Sequence, residues 1–327
     1  MSQILVGHQE IFRQLWATHQ ADRLPSAYLF LGPKGLGKST VTRVLAQRIN
    51  CDLGQECGVC ENCRLFASGS HPDFLVVGPT GKQIKIAQIQ GLIGTLNLKP
   101  MYAKKRVVLV KEADKLGLEA ANAFLKVLEE PPLDSLLVLT SEDEHGLLET
   151  LLSRCQKVSF GPLSRLELAQ LLEARTQLEP EAMELVLAYS EGRLRKELIE
   201  KAPELLGLEG QVGQLLFRLD PAKLVDQMEW LESLIKQGLE GYFLEFLARW
   251  LRDLSFEFSG QSERVRRPAA VALARSQGFE PPVPVLLDAF TQVGETQGAI
   301  YAQAGKLLAL EGLLLRLHHL LQGALVL

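Results

Sequence analysis

Short apolar runs alternate with helical patterns in the first half of the chain. Five runs are strand candidates: Ala27–Leu31, Phe74–Val77, Val107–Val110, Leu136–Leu139 and Val158–Phe160. Between them, apolar residues recur at helical spacing, as in residues 86–96 and 121–128, and two prolines would end the second of these helices. This alternation is typical of βαβ units. We therefore predict an α/β domain with a parallel sheet over residues 1–162.

The strand pattern stops after residue 162. Three short helical patterns follow, the second of which begins at Pro180, a favoured residue in a first helical turn. They predict a small three-helix lid over residues 163–204. Leu-rich helical faces then recur at 221–238, 240–258, 283–296 and 305–322. The predicted fold class is thus α/β plus all-α, with a helical domain over 205–327 and a polar loop at 259–268.

Composition narrows the class of protein. A chain of 327 residues exceeds what one hydrophobic core usually covers, and a hydrophobic content of 47% with 23% charged residues is ordinary for a folded protein. A net charge of −4 argues against a solitary, tight nucleic-acid binder, although a ring of subunits could share the basic charge. The chain has neither a secretory signal pattern nor an unbroken apolar span. We expect a cytoplasmic protein with no membrane partner.

The first strand candidate runs into a phosphate-loop motif. The candidate nucleotide-binding residues here are Gly32, Pro33, Lys34, Gly35, Leu36, Gly37, Lys38, Ser39 and Thr40. Glycines let backbone N–H groups surround phosphate oxygens, and the start of the following helix adds a partial positive charge. Lys38 would place a cation near the β- and γ-phosphates, and Ser39 would be the magnesium ligand. We expect ATP or ADP to bind here; a glycine-rich turn without a ligand is the alternative.

The third strand candidate ends at an unusual residue for a nucleotide-hydrolysing site. The usual acidic pair places a metal-organising carboxylate first and a water-activating glutamate second, but this chain has Lys111 and then Glu112. A lysine puts positive charge where Mg²⁺ would be organised, so we predict weak or absent hydrolysis, with Glu112 as a weak or vestigial catalytic residue. The alternative is that Lys111 is a surface residue and that Asp114 or water compensates. Mg²⁺ binding is therefore left open.

Four of the five cysteines are clustered. Cys51, Cys57, Cys60 and Cys63 have the spacing C-x5-C-x2-C-x2-C, which can bring four thiolates around one tetrahedral ion. We predict a structural Zn²⁺ site that pins an insertion between the first helix and the second strand. An iron–sulfur cluster or free thiols are the alternatives. Cys155 lies apart and is predicted to pack as a small apolar residue.

These motifs converge on one family. The chain resembles the delta-prime subunits of bacterial DNA polymerase III clamp loaders over its whole length. The segments that carry the resemblance are Val6–Gln9, Arg23–Pro25, the phosphate loop, the four cysteines, His71–Asp73, Ile84–Pro100, Ala123–Pro132 and Ser153–Cys155. The resemblance implies an AAA+ module, a helical lid, and a carboxy-terminal collar through which five subunits join.

The resemblance also assigns roles to four residues. Judged by sequence alone, Arg154 is an exposed arginine of the kind that is usually solvated. In the family, the arginine of Ser-Arg-Cys acts in trans on ATP that is bound by the adjacent motor subunit, which implies that Arg154 is an arginine finger. The first sensor falls on Thr140 or Ser141, and the second falls on Arg195.

The family further implies partners. They are the gamma/tau and delta subunits and, through the complex, the sliding clamp and primed DNA. The rival interpretation is a self-sufficient, gamma/tau-like motor ATPase acting through Lys38, Ser39 and Glu112. Motor subunits carry an aspartate before the glutamate, where this chain has Lys111, so we favour the non-motor subunit. Some delta-prime relatives have lost the phosphate loop, whereas this chain keeps it.

Overall fold

The computed structural model describes residues 5–217 and 224–323. The chain divides into two compact units. The sheet unit is Met1–Leu178 with Tyr189–Lys196, and the helical unit is Glu179–Ala188 with Glu197–Leu327. Among the described residues, no helix has the length and apolar composition needed to cross a membrane.

The sheet unit is built on five parallel strands in the order β2-β3-β4-β1-β5. Their bounds are Ala27–Leu31 for β1, Phe74–Val77 for β2, Arg106–Val110 for β3, Ser135–Ser141 for β4 and Gln156–Ser159 for β5. Every residue of β1, β3 and β4 is buried, which explains why these strands read as unbroken apolar runs. The predicted α/β fold with a parallel sheet is confirmed.

Helices cover both faces of the sheet. They are Gln9–Gln20 (α1), Lys38–Asn50 (α2), Glu61–Ser68 (α3), Ile86–Leu96 (α4), Leu118–Glu129 (α5) and Glu149–Leu152 (α6), and Arg165–Arg175 (α7) follows β5. Alternate residues of β1 enter different cores, because successive strand side chains point to opposite faces. Leu29 packs in the core with α4 and α5, whereas Phe30 packs in the core with α1 and α2. Cys155 is buried in the first of these cores, as predicted.

The remaining helices follow the predicted lid and the Leu-rich faces. They are Pro180–Tyr189 (α8), Lys196–Glu200 (α9), Ala202–Phe217 (α10), Leu224–Gln237 (α11), Glu240–Phe258 (α12), Pro268–Ser276 (α13), Val283–Tyr301 (α14) and Lys306–Gly323 (α15). The described residues leave out two segments of the predicted carboxy-terminal domain, residues 218–223 and 324–327. The first of these segments includes residues 221–223 of one predicted helical face. The division at residues 162 and 204 stays a prediction.

Two buried acids fix the end of the predicted polar loop at 259–268. Asp253 accepts hydrogen bonds from the backbone N–H groups of Arg266 and Arg267, at 3.1 and 2.8 Å. The Arg267 guanidinium donates to both carboxylate oxygens of Glu209, the shorter contact being 2.6 Å. The loop itself contains one short 3-10 helix at Ser262–Arg264. Its exit is therefore tied to α10 and α12 of the helical unit.

Three helices were not predicted from the sequence. α10 runs through the glycines at 207 and 210, because its buried residues Leu205, Leu208 and Val212 supply packing that offsets their low helix propensity. α13 begins with proline in its first turn and is rich in alanine, and these are helix-forming features that the polar segment before it obscured. α3 is a helix of eight residues within the cysteine segment, and it begins directly after Cys60.

Candidate functional site

The phosphate loop joins β1 to α2 and lines a cavity of about 270 Å³. The lining consists of residues 34–40, Lys111 with Glu112, residues 140–142, and Leu194. The structure thus brings together most of the predicted nucleotide-binding residues. Gly32 and Pro33 do not line the cavity, but their carbonyl oxygens accept hydrogen bonds from Lys38.

Two loop positions require glycine. At Gly35, φ is +86°, and a Cβ would lie 2.3 Å from the carbonyl oxygen of Leu194. The backbone N–H of Leu194 donates a hydrogen bond to the Gly35 carbonyl oxygen at 3.0 Å. At Gly37, φ is +90°, and a Cβ would meet no atom within 4 Å, so a side chain there would enter open space at the start of α2. The backbone therefore leaves a space at the start of α2 that a side chain would fill. Such a space, lined by backbone N–H groups at the start of a helix, fits a nucleotide phosphate.

Lys38 is mostly buried at the bottom of this loop. Its ammonium donates to the carbonyl oxygens of Gly32 and Pro33, the second at 2.9 Å. Burial lowers the pKa of Lys38, and the carboxylates of Glu142 and Asp114 oppose that shift. The loop and its lysine are therefore held together by the chain's own carbonyl groups.

Glu112 lines the cavity, and its carboxylate forms an ion pair with Lys34. The backbone at Glu112 is left-handed, with φ of 53°, and its Oε2 lies 2.8 Å from the Lys34 ammonium. The hydrogen bond to Glu112 raises the pKa of Lys34. Glu142 lies 3.9 Å from the same ammonium. A water-activating role for Glu112 would require this partly exposed pair to separate.

The candidate first sensors end β4 and connect it to the segment after β3. Thr140 Oγ1 accepts a hydrogen bond from the Glu112 N–H at 3.3 Å, and the Ser141 hydroxyl donates to Asp114 at 3.1 Å. Both side chains are buried and both residues line the cavity. The choice between them stays a prediction.

The donor set around the cavity does not fit a bound Mg²⁺. Magnesium requires oxygen ligands in near-ideal octahedral geometry. Ser39 offers a hydroxyl, but Lys111 offers an ammonium, Glu112 is paired with Lys34, and Asp114 contacts Ser141 and, at 3.5 Å, Lys115. No metal-dependent step follows from this set of residues.

Two predicted residues lie outside the cavity. The Arg195 guanidinium donates to the Tyr189 carbonyl oxygen at 3.0 Å, and the neighbouring Leu194 lines the cavity instead. Arg154 donates to the Thr150 carbonyl oxygen at 3.0 Å and pairs with Glu129 at 2.6 Å. About a third of the Arg154 side chain is exposed. The roles predicted for these two arginines remain predictions.

Arg154 and the phosphate loop lie at opposite ends of two neighbouring strands. β5 pairs in parallel with β1, so that Tyr28 is opposite Gln156 and Leu31 is opposite Ser159. Arg154 comes just before β5 begins, whereas the phosphate loop follows the last residue of β1. At about 3.3 Å per residue, four paired residues separate the two by roughly 10–13 Å along the strands.

The four clustered cysteines form a second candidate site. Their sulfur atoms all lie within 4.8 Å of one another, and the Sγ atoms of Cys57 and Cys63 are 4.0 Å apart. Four thiolates at the usual Zn–S distance would be about 3.8 Å apart. The backbone N–H groups of Cys57, Cys60 and Cys63 each donate to a cysteine sulfur at 3.4 Å. The geometry and the soft sulfur donors fit a structural zinc ion.

The thiol pKa values in this cluster diverge. Burial on its own would raise the pKa of Cys51, but N–H groups of residues 57, 55 and 53 bring it down to about 6. Burial raises the pKa of Cys63 to about 12. Cys51 directly follows α2, so a metal held here would fix the far end of the helix that begins at the phosphate loop.

Sequence analysis missed a buried ion pair next to these sites. The side chains of Asp73 and Arg106 are almost fully buried and meet at 2.8 Å. Asp73 accepts hydrogen bonds from the N–H groups of residues 101–103, and Arg106 donates to the carbonyl oxygens of residues 95, 98 and 99. The signal was present, since His71–Asp73 and Leu98–Pro100 were both noted as family segments. Nothing in their sequence showed that they contact each other.

Comparison with known proteins links the first half of the chain to DNA replication. The family model described as DNA polymerase III, delta subunit, matches residues 7–164. Subunit delta' of Bacillus subtilis DNA polymerase III is 40% identical over 155 residues, which are 47% of this chain and 47% of that protein. Subunit delta' of Pseudomonas aeruginosa is 35% identical over 198 residues, covering 59% of this chain and 60% of that protein. Residues 7–164 are therefore similar to the delta' subunits of DNA polymerase III.

The delta-prime resemblance predicted from the motifs is thereby confirmed for the matched part of the chain, and its extension over the whole length stays a prediction. Subunit tau of Escherichia coli DNA polymerase III also matches, with 32% identity over 217 residues, which are 64% of this chain and 34% of that protein. The chain thus spans about half the length of the Bacillus delta' protein and a third of the tau protein. A solved gamma subunit-related protein from Thermotoga maritima matches 94% of this chain and 99% of its own chain, with 21% identity and a TM-score of 0.47.

Proposed function

We propose that this chain is a non-motor, delta-prime-type subunit of a DNA polymerase III clamp loader. It would join gamma/tau and delta subunits and help to open a sliding clamp and load it onto primed DNA. One observation carries the proposal: Lys111 replaces the metal-organising acid in the chain's own site, while Ser153-Arg154-Cys155 is intact. The relatives named delta' support the same assignment.

In this proposal Arg154 is an arginine finger that completes the ATP site of a neighbouring motor subunit. A planar guanidinium with five N–H donors can stabilise the charge that develops on transferring phosphoryl oxygens. Arg154 must first separate from Glu129, but an exposed pair of this kind is worth only about 0–1 kcal/mol. The cost of freeing the finger is therefore small beside the 10³- to 10⁵-fold acceleration that such arginines supply.

The other parts of the chain would support that role. The proposed domains are an AAA+ module over residues 1–162, a lid over 163–204 and an oligomerising collar over 205–327. The phosphate loop would hold ATP or ADP, and the four cysteines would hold a structural zinc ion. DNA and the clamp would be reached through the complex.

Replacing Arg154 with alanine tests the proposal. The complex should still assemble, because the hydrogen bonds and the ion pair of Arg154 among the described residues are with exposed groups of its own chain. Its DNA-stimulated ATPase should fall about 10³-fold or more at the affected site. Arg13→Ala, which removes an exposed arginine from α1, is the matched control and should leave turnover unchanged. Turnover that is equal in the two variants would refute the role of Arg154.

The motor-subunit alternative has one observation in its favour, which is that Glu112 lies in the same cavity as an intact phosphate loop. It predicts that the isolated chain hydrolyses ATP and that Lys38→Ala abolishes this activity. Hydrolysis by the isolated chain that depends on Lys38 would favour the motor over the non-motor subunit.

A further inference from the structure

The charges around the phosphate-loop cavity are unusual for a magnesium-dependent site. Three lysines line it, Lys34, Lys38 and Lys111, together with two glutamates, Glu112 and Glu142. Lys34 is paired with Glu112 at 2.8 Å and lies 3.9 Å from Glu142. The acidic side chains that would attract a divalent cation are thus occupied by a cation that belongs to the chain.

Lys111 differs from the other two lysines. Within residues 5–217 and 224–323 its ammonium makes no ion pair and no side-chain hydrogen bond, and the side chain is exposed. Its backbone is fixed, because the Lys111 N–H donates to the Val77 carbonyl oxygen at 2.7 Å, as an extension of the pairing between β2 and β3. An exposed cation therefore stands on a hydrogen-bonded strand end that lines the cavity.

The position of Lys111 coincides with that of the expected metal ligands. Lys111 lines the phosphate-loop cavity together with Ser39, and the same two residues with Thr40 also line an adjoining cavity of about 330 Å³. Ser39 is the residue that would ligate magnesium in a phosphate loop of this type. Lys111 thus lies on the side of the loop where the metal would be.

We propose that Lys111 takes the place of the divalent cation, so that this loop binds a nucleoside diphosphate or triphosphate without magnesium. The inference rests on the nucleotide-holding role in the proposed function and specifies how that nucleotide is held. Lys38, Lys111 and the start of α2 supply positive charge to the phosphates. Because one ammonium carries a single charge and cannot activate water as a metal does, the nucleotide would remain bound without being hydrolysed.

The test is nucleotide affinity with and without a divalent cation. The full chain, purified in EDTA, is titrated with a fluorescent ADP analogue, with unlabelled ADP as competitor, in buffer containing either EDTA or MgCl₂. The wild-type dissociation constants in the two buffers should agree within about threefold. Lys111→Ala should weaken binding in EDTA about tenfold to a hundredfold, the loss expected for one hydrogen bond to a charged group.

Charge variants show whether the effect is that of a substitute cation. Lys111→Arg should retain binding in EDTA, whereas Lys111→Asp should lose it and recover at least part of it when MgCl₂ is added. Lys82→Ala and Lys82→Asp, which change an exposed lysine away from the cavity, are the matched controls and should bind as wild type does. Far-ultraviolet circular dichroism and thermal melting identify any variant that fails to fold. A Lys111 variant that fails to fold is replaced by Lys111→Met.

Each outcome distinguishes this inference from the proposed function. Wild-type binding that requires MgCl₂, or a Lys111→Ala affinity equal to that of Lys82→Ala, overturns the inference alone. Absence of binding in both buffers overturns it together with the nucleotide-holding role. Neither result affects the Arg154 experiment, which is read from the ATPase of the assembled complex.

Discussion

Replacing Arg106 with methionine should destabilise the sheet unit by about 3–4 kcal/mol. The change leaves the Asp73 carboxylate buried without its guanidinium partner, and removing one member of a buried pair costs about 3–5 kcal/mol. Asp73 keeps its three backbone N–H donors, which places the cost in the lower part of that range. Methionine keeps most of the side-chain volume, so the loss of packing is small.

The pH dependence of this loss gives an independent check. Burial on its own would raise the pKa of Asp73, but backbone N–H groups and the Arg106 guanidinium hold it below its ordinary value. A carboxyl with a lowered pKa in the folded state contributes stability above its unfolded pKa of about 3.9, and this is lost as the pH falls through the folded pKa. The difference between wild type and Arg106→Met should therefore be full at pH 7 and shrink below about pH 4.

Urea unfolding of the full chain, followed by the fluorescence of Trp16, measures the effect. Trp16 lies in α1 of the sheet unit, so replacing Trp230 and Trp250 with phenylalanine leaves one reporter for that unit. Lys157→Met is the matched control, because Lys157 pairs with Glu144 at 2.7 Å but is exposed, and it should cost less than about 1 kcal/mol. Similar losses for the two variants, or a loss from Arg106→Met that persists unchanged at pH 3, would show that the buried-pair argument is wrong.

Two further predictions concern the other sites. Elemental analysis of protein purified without added metal should find one zinc ion per chain, and Cys63→Ser should lose it and melt at a lower temperature, because binding to a structural site contributes to folding. Trace zinc with four titratable thiols would contradict this. Glu129→Gln should leave the free energy of unfolding within about 0.5 kcal/mol of wild type and raise the ATPase of the assembled complex up to about fivefold, because Arg154 is released from its partner. A fall in that ATPase would mean that Glu129 positions Arg154.

Strands β1, β3 and β4 could be predicted within about two residues, because burial on both faces requires a continuous apolar run. The phosphate-loop residues were predictable because the motif is local, so that its spacing in the sequence alone brings the residues together. Contacts between distant segments were not predictable. The Lys34–Glu112 pair joins the phosphate loop to the segment after β3, and the Asp73–Arg106 pair joins residues 33 positions apart. Helix α10 was not predicted, because tertiary packing outweighs the low helix propensity of its glycines.

The arrangement of Arg154 and the phosphate loop at opposite ends of β5 and β1 has a consequence for symmetry. If Arg154 acts in trans as proposed, the arginine and the loop that receives it belong to two chains, and these chains meet through different surfaces. Such a contact is heterologous, and repeating it generates a ring or an open helical arc with a direction, never a two-fold dimer. In an open arc one terminal loop receives no arginine and one terminal arginine has no loop. The number of complete sites is then one fewer than the number of chains.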